Sequence, residues 1–216
     1  MNKSPNLMFH EVLDDFNLKS GWHQESNGKY TITEKKFKDI IRVLGKSVNY
    51  TFDDGGISNI SVSYILKRNN IIGIFFIPTS YIGKKGFMTL DQIKLLSKNH
   101  MVFSHSHCHL MGNFNEKDLF NDWSKSISVM KKNNLNYDTV CLPGGTFSKK
   151  HFRVFKKLGI KNVYHSAPSN FILNFLYGSE IIFYPRYIID KNFKEFKLLN
   201  FLGLKSIIKQ IINYFK

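Results

Sequence analysis

The stretch "VNYTFDDGG", residues 48–56, carries an apolar, β-branched and aromatic run straight into two adjacent carboxylates and two glycines. The run reads as a buried strand and the glycines as its exit turn, so Asp53 and Asp54 stand at the C-terminal end of a strand. Like charges side by side repel, and a divalent cation facing both explains why they are kept, because the ion becomes the largest local charge.

Outward from this point the chain alternates short β-rich runs with longer polar segments. "NLMFHEV" (6–12) reads as an opening strand. Phe37, Ile40, Ile41 and Leu44 at i, i+3, i+4 and i+7 predict a helix over 33–44 with Thr33 as N-cap. Strands are expected in "SVNYTF" (47–52), "IIGIFFIP" (71–78), "MVFSH" (101–105), "DTVCLP" (138–143), "KNVYH" (161–165) and "EIIFYPRYII" (180–189). Helices are expected over 57–69, over 89–99 behind Thr89, over 116–133, and over 148–159 up to Gly159. This alternation argues an α/β fold with a parallel sheet, open or closed into a barrel. No repeat, low-complexity tract or Pro/Gly linker divides the chain, so residues 1–216 read as a single domain. Residues 198–216 read as a C-terminal amphipathic helix with a basic face.

Composition narrows the function classes. With 43% hydrophobic and 15% aromatic residues the chain can bury a real core, and two cysteines make no disulfide framework. No window approaches a spanning helix, and "MNKSPNLMFHEVLDD" lacks a secretory apolar region; both favour a cytoplasmic protein. Lys and Arg outnumber Asp and Glu by 31 to 16, a net charge of +15 that favours anionic partners. The lysines are scattered, so charge alone supports a nucleic-acid role only weakly. The basic stripe of 198–216 is read either as packing on the domain or as peripheral contact with an anionic membrane.

The unusual polar chemistry falls on one rim, since "TFDDGG", "FSHSHCH", "CLPGG" and "YHSAPS" all end predicted strands. In α/β folds that rim carries the site. Within "SHSHCHL" (104–110), His105 and His109 converge if the chain turns there, whereas an extended chain would put His105, His107 and His109 on one face. Both arrangements can bind metal.

"TFDDG" at 51–55, followed by "HSHCH" at 105–109 and "CLPGG" at 141–145, resembles the polysaccharide deacetylase family, the NodB-like domain of carbohydrate esterase family 4. The likeness runs from about residue 7 to about 188 and includes "LSKNHMVFSH", where His100 matches a structural histidine. It implies an irregular (β/α) barrel of about seven parallel strands. It also implies a metal-dependent hydrolase that removes an N-acyl group, usually acetyl, from an amino sugar. Carried over by position, the resemblance makes Asp54, His105 and His109 the ligands of a divalent metal such as Zn²⁺, Asp53 the catalytic base, and the N–H of Gly144 an oxyanion donor. A basic cytoplasmic member would suit a phosphorylated or lipid-linked amino sugar in surface-polysaccharide assembly.

Two features depart from the family pattern. Cys141 stands where the third motif usually has an arginine that steadies the base, and Arg186 in "YPRYI" is the candidate substitute. The late histidine that serves the leaving amine has no match after residue 165, which leaves His10 and His165 as candidates. The alternative reading is therefore a relative that keeps fold and metal and binds glycan or lipid with little turnover. Trp123 reads as core, His107 as pointing away from the metal, and neither Cys108 nor Cys141 as a ligand.

Overall fold

The computed structural model describes residues 4–15, 17–166, 173 and 176–193. The stretch 198–216, expected to be an amphipathic helix, lies outside them. Seven strands close a parallel barrel in the order β1 (Asn6–Phe9), β4 (Asn49–Phe52), β5 (Ile74–Ile77), β6 (Met101–Ser104), β7 (Thr139–Cys141), β8 (Asn162–His165) and β9 (Ile182–Ile188). β1 is the joint: it pairs with β4 through Phe9 opposite Phe52, and with β9 through Asn6 opposite Arg186.

The helices form where periodicity and caps agree. α1 (Glu34–Leu44) begins at Thr33, whose side chain accepts from the Lys36 N–H, and it buries Phe37, Ile40, Ile41 and Leu44. α2 spans Asn59–Arg68, and α3 (Leu90–Ser97) starts at a reciprocal box between Thr89 and Gln92. α4 (Glu116–Lys132) is capped by Asn115 and α5 (Lys149–Leu158) by Ser148. Gly159, at φ 73°, ends α5 in the left-handed conformation that glycine adopts without a Cβ clash.

Among the described residues the core has three parts. α1, α2 and α3 pack Phe37, Ile40, Val62, Leu66 and Ile93 on the outward faces of β1, β4 and β5. α4 and α5 pack Leu119, Trp123, Ile127, Val154 and Phe155 against β7, β8 and β9. Trp123 is a core residue, edge-on to Phe155. The alternate strand residues Ile74, Phe76, Cys141 and Tyr164 fill the lumen. No helix among the described residues is long and apolar enough to cross a membrane.

The opening run does not stay one strand. "NLMFHEV" breaks at His10, and Glu11–Val12 leaves the barrel as β2 to pair in parallel with β3 (Thr31–Ile32). The cause is polar: both the Ser20 and Ser58 hydroxyls donate to Oε2 of Glu11, each at 2.5 Å, and draw the chain away from the barrel wall. The excursion between β2 and β3 then forms one side of the rim.

Candidate active site

β4 ends in a tight turn. The Gly55 N–H donates to the Asp53 carbonyl at 3.0 Å with Asp54 between them at φ 72°. This is the rarer γ-turn with positive φ, and it breaks the alternation of a strand so that both carboxylates serve one site. Both are buried.

Across from them, β6 delivers His105. Its Nδ1–H donates to the Cys141 carbonyl at 3.0 Å, which fixes the tautomer and leaves the Nε2 lone pair facing the carboxylates. His105 Nε2 lies 3.6 Å from Oδ1 of Asp54, and His109 Nε2 lies 3.4 Å from the same oxygen. Burial, opposed in part by the Asp53 charge, holds the His105 imidazole down to about 4, so the ring is neutral and able to donate its lone pair. Oδ1 of Asp54 is buried without a hydrogen-bond partner among the described residues. A buried, orphaned carboxylate oxygen between two imidazole nitrogens fits a divalent cation, and two nitrogens with one oxygen form a zinc-type donor set.

Asp53, His105 and Cys141 also lie close enough to share an ion. That trio is already filled by a cation of the protein. Arg186 Nη1 donates to Oδ1 of Asp53 at 2.6 Å and Nη2 to Oδ2 at 2.8 Å, while Nη2 also stands 2.9 Å from Cys141 Sγ. The guanidinium is buried over the Phe76 ring. Burial alone would raise the Asp53 carboxyl, but the Arg186 guanidinium, with smaller help from His105 and His10, holds it well below the usual range. Asp54 is held low against burial by His109, His10 and His105.

The remaining expected residues separate. His10 lines the cavity, stacks on Tyr30 at 4.7 Å, and has a buried Nδ1 without a partner among the described residues. His165 is fully buried beside the Phe183 ring, away from the cavity, and its carbonyl accepts from Arg186 Nε at 3.4 Å. Gly144, at φ 64°, lines the cavity and allows backbone to approach it. His107 bonds Thr79 Oγ1 at 2.8 Å, apart from the ligand cluster. His100 accepts from the Gly73 N–H and donates to the Ser63 carbonyl, a structural brace.

The cavity holds about 480 Å³ and is walled by Trp22, Tyr30, Tyr81 and Met111. Trp22 leans over His109 with ring centroids 4.4 Å apart. Trp22, Tyr30 and Met111 stand in turns and loops whose sequence has no periodicity, and Glu11, on β2, lines the same cavity; a lone tryptophan in the polar segment 13–30 was the one available sign of them.

The sequence profile of the polysaccharide deacetylase family matches residues 42–163, more than half of the chain, spanning both the aspartate and histidine motifs. The chain belongs to the polysaccharide deacetylase family. This polysaccharide deacetylase is thus a hydrolase of amide bonds on glycans. Its fold is similar to that of IcaB from Ammonifex degensii, at 17% identity and a TM-score of 0.68, over 87% of this chain and 92% of that one. It is also similar to the deacetylase PplD from Streptococcus pyogenes, solved with acetate, at 19% identity and a TM-score of 0.70, over 92% and 97%. A de-N-acetylase from Aggregatibacter actinomycetemcomitans aligns at 19% identity and a TM-score of 0.65, over 91% and 98%. No curated protein sequence matches the chain.

Proposed function

We propose that this deacetylase removes the N-acetyl group from an amino sugar of a surface polysaccharide or its precursor, with Asp54, His105 and His109 holding a divalent ion, zinc by donor type. The observation that carries this reading is the division between the two aspartates. Asp54 has a free oxygen among two imidazoles, whereas Asp53 is reserved by Arg186. When bound, the ion supplies Lewis acidity to the amide carbonyl and to the attacking water.

The chain's own residues supply the rest. Asp53, fixed by two charged hydrogen bonds, takes the proton of the attacking water as general base. Arg186 sets its rotamer and keeps it ionised. The Gly144 N–H lies at the cavity wall, where it can stabilise charge developing on the carbonyl oxygen. His10, on the same cavity, returns a proton to the leaving amine; His165, lacking access, does not.

Charge in the cavity bears on the substrate. Among the described residues, Arg186 is the only lysine or arginine lining it, and Asp53 already occupies that cation, while Glu25, Asp53 and Asp54 are acidic and Glu11 keeps its proton up to about pH 8. A phosphate or lipid carrier on the substrate finds no free lysine or arginine inside the cavity among the described residues and would extend outside it.

The test is metal content by elemental analysis of the wild type and Asp54→Ala, with acetate release from N-acetylated amino-sugar oligomers followed in the same samples. Near-stoichiometric metal lost in the variant, with metal-dependent release, supports the proposal. Acetate release that persists in fully metal-free protein overturns it.

A further inference from the structure

The "HSHCH" segment would, as a strand, present three histidines on one face; instead it turns, with Ser106 at φ 65° and His109 at φ 55°. Non-glycine residues take this left-handed conformation uncommonly and at an energetic cost, which surrounding contacts offset here. The contacts come from α4. Oδ2 of Asp122 accepts from the His107 N–H at 3.1 Å, and Oδ1 accepts from the Cys108 N–H at 2.7 Å. One turn along the helix, Ser126 Oγ donates to the Ser106 carbonyl at 3.0 Å and shares a hydrogen bond of 2.6 Å with Ser104 Oγ. Ser104 Oγ in turn accepts from the Ser106 N–H, and Ser106 Oγ accepts from the His109 N–H at 2.9 Å.

We infer that Asp122 is a positioning residue of the metal centre, its two carboxylate oxygens fixing the backbone between His105 and His109 so that both imidazoles meet Asp54. The inference rests on the metal reading given above. Asp122 is buried and makes no ion pair among the described residues; its charge is satisfied by loop N–H groups. A buried carboxylate without a cation is an expensive way to hold a helix in place. Here each of two successive N–H donors has an oxygen of its own, and only a carboxylate offers two acceptor oxygens on one side chain. Asparagine would keep the shape, lose one acceptor, and turn an NH₂ toward a backbone N–H. Ser126, at i+4, braces the first half of the same turn. Neither side chain touches the reacting atoms, so both act through the ligand geometry.

The experiment is Zn²⁺ affinity of the full chain, measured by competition with a chromophoric chelator at a temperature where circular dichroism shows each protein folded. Asp122→Asn is expected to bind Zn²⁺ about 10- to 100-fold more weakly than wild type, the range for residues that orient metal ligands. Ser126→Ala, which removes a neutral brace and leaves Asp122 in place, is expected to weaken binding by a smaller factor and keeps the test open if Asp122→Asn does not fold. A purely structural role would lower the melting temperature yet leave the affinity of the folded protein unchanged. That result, with wild type binding metal normally, overturns the inference and leaves the metal centre standing. Wild type that takes up no Zn²⁺ overturns both.

Discussion

Arg186, on β9, and Asp53, at the end of β4, meet through a bidentate pair of 2.6 and 2.8 Å that reaches past β1, the strand lying between theirs in the barrel. Both groups are buried, and the guanidinium also contacts Cys141 Sγ and Thr51 Oγ1. Where the family pattern has an arginine on the third motif, this chain has Cys141, and the guanidinium comes from β9 instead.

Arg186→Met should therefore strand a buried carboxylate. Leaving one member of a buried pair uncompensated costs about 3–5 kcal/mol, so the melting temperature should fall sharply and acetate release with it. Arg186→Lys keeps the charge and loses the fork geometry, and should retain more stability than activity. Thermal denaturation alongside acetate release on both variants checks this.

Asp53→Asn tests the proposed division of base from ligand. The substitution should lower kcat by roughly 10²- to 10⁴-fold, the usual contribution of a positioned general base, while metal content stays near that of wild type. Elemental analysis beside steady-state kinetics distinguishes this from loss of the ion. Loss of the metal from the Asp53→Asn variant would contradict the assignment of Asp54, His105 and His109 as the ligand set.

Glu11 makes stability depend on pH. Burial chiefly, with a smaller push from Asp54 and against the bonds from Ser20 and Ser58, raises its carboxyl from 4.5 to about 8. Between those values the folded chain keeps a proton that the unfolded chain has lost. The contribution is thus complete below 4.5 and declines as pH rises to about 8, at up to about 1.4 kcal/mol per pH unit. Denaturant melts across that window should show wild type losing stability with rising pH and Glu11→Gln following a flatter line.

Trp22 forms a wall of the cavity without supplying a ligand. Trp22→Ala should raise KM for an amino-sugar oligomer by about 5- to 30-fold, equivalent to one or two kcal/mol, with metal content preserved. Kinetics on oligomers against the N-acetylated monosaccharide would show the larger change on the longer substrate.

The alternation of strand and helix was readable because Phe37, Ile40, Ile41 and Leu44, or Thr89 and Gln92, carry local information that the packing does not contradict. The paired aspartates and spaced histidines were equally visible, since their chemistry is unusual at strand ends. What the chain does between those points was less so. The break at His10 depends on Ser20 and Ser58, distant in sequence, converging on Glu11, and no periodicity announces it. The choice between an extended and a turned "HSHCH" depends on Asp122 and Ser126 from a helix that reads as ordinary amphipathic surface. Arg186 was separable from a surface arginine only once barrel closure brought it beneath Asp53.

That closure has a consequence for how the molecule comes into being. A ribosome delivers Asp53 long before Arg186, and β9 is the strand that seals the ring against β1. Until it docks, Asp53 lacks its counter-ion and the lumen is open on one side. The Asp53–Arg186 pair is thereby tied to completion of the ring, so a partly synthesised or clipped chain ending short of β9 would keep Asp54, His105 and His109 and still, on the proposed mechanism, be a poor catalyst.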